Sequence, residues 1–289
     1  MKISRKIFSS SLLLLMTAFA YGQDFAAMEK RLHEDVKTLS DSLLAGRAIG
    51  TPGGADAAFY LIRSFQEMGL NVRAEAFTAG ERIGHNIIAE VNTDATGSRY
   101  TLVCAYYDGL GQLGGKTYFG ADSNASGVAG MLELARLLKT SGKNFIFAAL
   151  DGHNASLGGA VALEKTLRNR KPAMVVNLDI IGSNLAPVDK YWKEFVMILG
   201  GERYASSIEK CNQGLGLHIY YDYYRSRDFT NLFYRKIGDQ KVFLEKGIPA
   251  LMVTSGITMS TNKEEDTAGT LNYPLFAKRI ELIARWLSR

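Results

Sequence analysis

The sequence predicts an α/β fold: one domain with a mostly parallel central sheet and helices on both faces. Three observations carry this. Apolar runs alternate with helix-period patterns from about residue 55 to the C-terminus. Several of these runs are continuous, as in strands buried on both faces. No repeat, low-complexity tract or Pro/Gly/Ser linker interrupts the alternation, so it belongs to a single packed unit.

The elements follow in chain order. Residues 55–68 place Ala57, Leu61, Phe65 and Met68 at helical spacing. Strands are expected over residues 86–91, 100–107, 144–150, 174–181, 195–199, 217–224 and 249–254. Between them, residues 124–139 repeat apolar positions at Val128, Met131, Leu132, Ala135 and Leu138, predicting a helix, and residues 157–167 and 204–211 predict two more. The last helix spans residues 273–287, with Phe276, Ile280, Ile283 and Leu287 on one stripe. LHIYYDYYRSRDF, rich in tyrosine, reads as a half-buried strand whose amphipathic rings face both core and water.

The first 22 residues are expected to be a leader rather than fold. Lys2, Arg5 and Lys6 precede the apolar run SLLLLMTAFA, and small residues follow up to Gly22. That run is short for a bilayer span, so no membrane anchor is expected after cleavage, and the mature chain is expected as one domain over residues 23–289. The leader carries three basic residues and no acid, so its removal lowers the net charge from +5 to +2. With no dense Lys/Arg stripe interleaved with aromatics, nucleic acid is excluded as the expected partner. The expected location is periplasmic or extracellular. The two cysteines, Cys104 in a strand pattern and Cys211 in a helical one, read as buried free thiols.

In an open α/β sheet, ligands bind beyond the carboxyl ends of the strands. Those ends carry Asp108 after LVCAYY, the loop GADSNASG, Asp151 to Asn154 after FIFAAL, and Asp179 after VVNL. Repeated carboxylates at one sheet edge suit a metal or polar ligand. The same residues also terminate strands and cap helices, and residue types alone weigh the two roles equally.

The motifs resemble those of the secreted zinc aminopeptidase family, peptidase family M28, which is related to glutaminyl cyclases. LLAGRAIGTPGGADAAFYLIRSFQEMGL looks like its opening helix, GHNIIAEV like its first sheet strand, and LVCAYYDG like its His-x-Asp strand end. GADSNASGVAGMLELARLL is similar to its Gly-Ala-Asp-Asp-Asn-Ala-Ser-Gly loop and helix. FAALDGHNASLGGAVAL is similar to its Asp-Gly-Glu-Glu segment, VVNLDIIG to its Asn-Leu-Asp strand, and GDQKVFLEKGIPAL with EEDT to its closing segments. The resemblance implies a three-layer α/β/α fold with a mixed, mostly parallel sheet of the zinc-exopeptidase type.

The resemblance also implies two zinc ions held by a His, a bridging Asp, a Glu, another Asp and a final His, with a second Glu as general base on the metal-bound water. On this chain the first His falls on Tyr106, whose phenol stays protonated near neutral pH. Asp108, the residue that orients that His, is present. The bridging Asp falls on Ser123, the general base on His153 and the Glu ligand on Asn154, whereas Asp179 keeps its ligand position. The final His falls near Thr261 or Asn262, and no histidine follows His218. The expectation is a protein with no cofactor, none of these residues catalytic, and a cleft of Tyr106, Asp108, Ser123, His153, Asn154 and Asp179. It is expected to bind a peptide end, a small polar ligand or a protein partner, as a pseudopeptidase acting in binding or assembly. The alternatives are a hydrolase rebuilt around one metal at Asp179 and His153, with Asp108, or a Ser123–His153 dyad.

Overall fold

Eight strands pair into one mixed sheet. In the computed structural model, which describes residues 25–92, 99–185 and 187–289, these are β1 (Asn71–Ala79), β2 (Arg82–Val91), β3 (Thr101–Tyr106), β6 (Phe145–Leu150), β7 (Met174–Leu178), β8 (Phe195–Leu199), β9 (His218–Tyr220) and β10 (Ala250–Thr254), with the short strands β4 (Gly111–Leu113) and β5 (Lys116–Tyr118) forming a separate hairpin. The spatial order is β1-β2-β6-β3-β7-β10-β8-β9. The centre, β6-β3-β7-β10, is parallel throughout. β2 joins β6, and β8 joins β10, antiparallel. The expected leader, residues 1–22, lies outside the described residues.

The four central strands are buried at nearly every position, so their continuous apolar runs follow from cover on both faces. One face carries a helix over residues 25–39 (α1), α2 (Pro52–Glu67), α3 (Gly127–Leu138), α5 (Ala205–Cys211) and α8 (Tyr273–Leu287). The other carries α4 (Gly158–Thr166) and α7 (Gln240–Leu244). A third, smaller cluster packs Tyr224 and Phe233, at the end of α6 (Arg227–Leu232), against β8 and β10. This is the expected three-layer arrangement. The last helix has the bounds that its stripe predicts, and Asn272 caps it by accepting from Leu275 N at 3.1 Å.

The β4–β5 hairpin, α6 and α7 were not expected, β2 starts four residues early, and three further elements depart from expectation for a physical reason. β1 has no fully buried residue, and its alternating small and charged side chains give no apolar run to find. It pairs with β2 along its whole length, Asn71 opposite Glu90 through to Ala79 opposite Arg82. The strand expected over 217–224 is only three residues of β9, because the chain then leaves the sheet to bury Tyr224. The helix expected from residue 124 begins at Gly127, after an irregular turn in which Ser123 and Asn124 have non-helical backbone angles. Cys104 and Cys211 are both buried free thiols, in cores on opposite faces of the sheet.

Candidate functional site

The carboxyl ends of β3 and β7 meet the turn over residues 121–126, and the side chains of that turn hold them together. Asn124 does most of this. Its amide nitrogen donates to Tyr106 O at 3.3 Å and Leu178 O at 3.0 Å, and its oxygen accepts from Ile180 N at 2.9 Å and Gly127 N at 3.2 Å. Asp266 fixes the other side of the turn, accepting from Asp122 N at 2.7 Å and Ser123 N at 3.0 Å. Arg47, fully buried, donates to Tyr107 O at 2.9 Å, Phe119 O at 2.7 Å and Gly120 O at 3.0 Å. Asp122 accepts from Gly182 N at 2.8 Å, so the carboxylate that the loop retains is a structural one.

Tyr106 is the centre of the cluster. Its hydroxyl lies 3.1 Å from Ser123 Oγ, and its hydrogen bonding also lowers the pKa of Asp179. Its ring stacks on the imidazole of His153 with centroids 3.8 Å apart and planes 12° apart. On the far edge of that imidazole, Nδ1 bonds Asp239 Oδ2 at 2.8 Å. With the carboxylate as acceptor, Nδ1 carries the proton. Asp239 is 0% exposed, and its other oxygen has no hydrogen-bond partner among the described residues.

The electrostatics follow from burial. Burial pushes the Asp179 carboxyl up to about 7, with Asp239 adding to the rise and His153 opposing it. Burial works against a charge on His153, but Asp239, Asp179 and Asp108 outweigh it and raise the imidazole to about 9. Burial likewise holds the Tyr106 phenol well above its ordinary value. Asp108, raised by burial to about 6, sits under the turn after β6. It accepts from His153 N at 2.8 Å, from Asn154 N at 3.1 Å and from the Asn154 side-chain amide at 3.2 Å.

The structure therefore gathers Tyr106, Ser123, His153 and Asp179 around one phenol ring. Asn154 turns back on Asp108 and is exposed. Thr261 and Asn262 lie in the loop before Asp266, where Thr261 Oγ1 accepts from Thr258 N at 2.9 Å and Asn262 is exposed. Sequence reasoning missed Asp239. It precedes the short α7, where an aspartate reads as a cap, and it is 86 residues from the imidazole that it holds. Its only signal is its place in GDQKVFLEKGIPAL.

The donors do not fit a dinuclear zinc centre. Asp179 supplies a carboxylate, but the other four ligand positions hold a protonated phenol, a hydroxyl, an amide already bonded to Asp108, and an exposed loop residue. Among the described residues no three His, Cys, Asp or Glu side chains are grouped to share one metal ion.

Comparison with known proteins places this geometry in context. The chain is 26% identical over 184 residues to a glutaminyl-peptide cyclotransferase of Drosophila melanogaster, a match covering 55% of this chain and 51% of the relative. It spans about half the length of the curated relatives it matches. The fold is similar to that of a glutaminyl cyclase from Fimbriiglobus ruber, with a TM-score of 0.73 at 18% identity over 90% of this chain and 94% of that one. It is also similar to that of a zinc aminopeptidase from Bacillus subtilis, with a TM-score of 0.71 at 14% identity over 90% and 94%. The expectation of no cofactor is corrected by these findings: the family match and the zinc aminopeptidase among the neighbours point to zinc. That expectation treated lost ligand positions as if they decided the cofactor, whereas they bear only on how well these donors fit it. Residues 86–287, well over half of the sequence, match the model of this one family, and the chain belongs to peptidase family M28.

Proposed function

We propose that this M28 member does not turn over peptides and uses the fold as an exported binding or assembly module. One observation carries the reading: the Tyr106 ring lies flat on His153, at the positions that the resemblance gives to a metal ligand and the general base. A general base must be unprotonated near its working pH. An imidazole raised to about 9 beside Asp239 is instead a cation there. Its Nε2 edge, without a hydrogen-bond partner among the described residues, suits a donor to a peptide end or a small polar ligand. Tyr106, Ser123 and Asp179 are each less than a tenth exposed and give the cluster a rigid back wall.

The test supplies zinc and asks for turnover. The mature chain, with Zn²⁺ added, is assayed on aminoacyl anilides and on a peptide with N-terminal glutamine, the substrate suggested by its cyclotransferase relative. No product above the protein-free control is expected. Chelator-sensitive turnover of either substrate would refute the reading.

A second reading, a hydrolase rebuilt around one metal at Asp179 and His153, is favoured by the Asp239 bond. A carboxylate on one ring nitrogen is the usual support for a metal-bound imidazole. Here the other nitrogen, Nε2, has no hydrogen-bond partner among the described residues. Turnover that depends on one equivalent of tightly bound zinc, both lost in Asp179→Asn and in His153→Gln, would select this reading over the first.

A further inference from the structure

Consecutive strand residues point to opposite faces, so Tyr106 and Tyr107 leave β3 on different sides. Tyr106 packs in the core under α4 and α7, and Tyr107 in the core under α2 and α3. On the Tyr107 side a cavity of about 570 Å³ opens between the first turn of α2 and the turn joining β1 to β2. That volume falls within the roughly 300–1,000 Å³ of small-molecule sites.

The floor is rigid. Asp151 accepts from Gly152 N at 2.8 Å, His85 N at 3.0 Å and the Tyr107 hydroxyl at 3.2 Å. The Tyr107 hydroxyl also donates to His85 O at 2.9 Å. The walls combine apolar Pro52 and Ile83 with exposed Arg82 and His85. The Arg82 stem lies over Gly50, where an added Cβ would meet it at 3.3 Å. Arg82 lines the cavity, and among the described residues its guanidinium, a planar fork of donors, has no hydrogen bond or ion pair. The first turn of α2 carries no acidic residue to answer that charge.

We propose that this cavity binds a small monoanionic carboxylate ligand, with Arg82 and His85 on the carboxylate and Pro52 and Ile83 against an apolar body. The guanidinium fork matches a carboxylate in geometry. Glu81 and Asp151 also line the cavity; Asp151 is already taken up by three hydrogen bonds in the floor, and the like charge of the two carboxylates leaves Arg82 able to answer one negative charge but works against a phosphate dianion. The inference goes beyond the reading of the Tyr106 cluster and holds whether or not that cluster turns over.

The experiment titrates the mature chain with N-acetylated dipeptides and short aliphatic acids, their amides and inorganic phosphate, followed by calorimetry and amide chemical shifts. The expected result is saturable binding of at least one acid, none of its amide, and shifts at Gly54, Arg82 and Ile83. Arg82→Gln, which alters an exposed side chain, should weaken that binding about tenfold or more, and Arg82→Lys should recover part of it. The proposal is overturned if no acid binds up to the order of 10 mM, if acid and amide bind equally, if phosphate binds better, or if the shifts map to Tyr106, His153 and Asp179.

Discussion

At the scale of the residue, His153 is defined by what surrounds it. Its imidazole is held at about 9 against the opposing effect of burial, and Asp239 is the principal reason. Asp239→Asn should let the His153 pKa fall to or below about 6.5, the ordinary imidazole value, as read from ring-proton shifts during a pH titration. The sign for stability is fixed by the direction of the shift. A group whose folded pKa lies above its unfolded one stabilises the fold fully below the unfolded value, and that contribution disappears as pH rises through the folded one. The stability gap between wild type and Asp239→Asn should therefore narrow from about pH 6.5 to about pH 9. Asp179 is raised to about 7, so its charge opposes folding above that pH and does so less as the pH falls toward the unfolded value near 4. Asp179→Asn should stabilise the protein by on the order of a few kcal/mol at pH 8, with the gain fading as the pH falls from about 7 to about 4. Urea unfolding at several pH values measures both effects.

At the scale of the element, the site depends on how closely α3 starts against β7. Gly127 opens α3, and a Cβ there would lie 2.4 Å from Leu178 O and from the Asn124 side chain. Neither neighbour can yield, since Leu178 O accepts from Asn124 and Asn124 also holds Tyr106 and Ile180. Gly127→Ala should destabilise by about 1–3 kcal/mol or more and broaden the ring signals of Tyr106 and His153, as seen by urea unfolding and NMR. The glycine was visible within GADSNASG as a family match, but its physical reason was not. The need for a bare α-carbon arises from a carbonyl on a strand some fifty residues later.

At the scale of the whole molecule, the central sheet was legible because its strands are buried on both faces, and such strands leave continuous apolar runs. The edges were not. β1 buries nothing fully and is recognisable only by its partner, and β9 is cut short where Tyr224 finds a core of its own. The convergence of Tyr106, Ser123, His153 and Asp179 was legible through motif order. The Asp239 contact was not, because it is made by tertiary packing of α7 beside the sheet rather than by any local pattern. Export is the prediction that belongs to this scale. Expressed with its first 22 residues, the chain should be recovered outside the cytoplasm, starting near residue 23 by N-terminal sequencing, whereas a chain lacking Lys2 to Tyr21 should stay inside.

The His153–Asp239 pair also bears on restoring the family's centre. A glutamate put back at the general-base position would set a third carboxylate beside Asp179 and Asp239 and remove the imidazole cation that offsets them. Restoring a histidine at Tyr106 first would strip Ser123 of its hydroxyl partner. Each single reversal therefore breaks a contact of the present cluster without restoring a metal centre. Rebuilding the two-zinc centre that the resemblance implies requires positions 106, 123, 153 and 154 and the residue near 261 or 262 to change together.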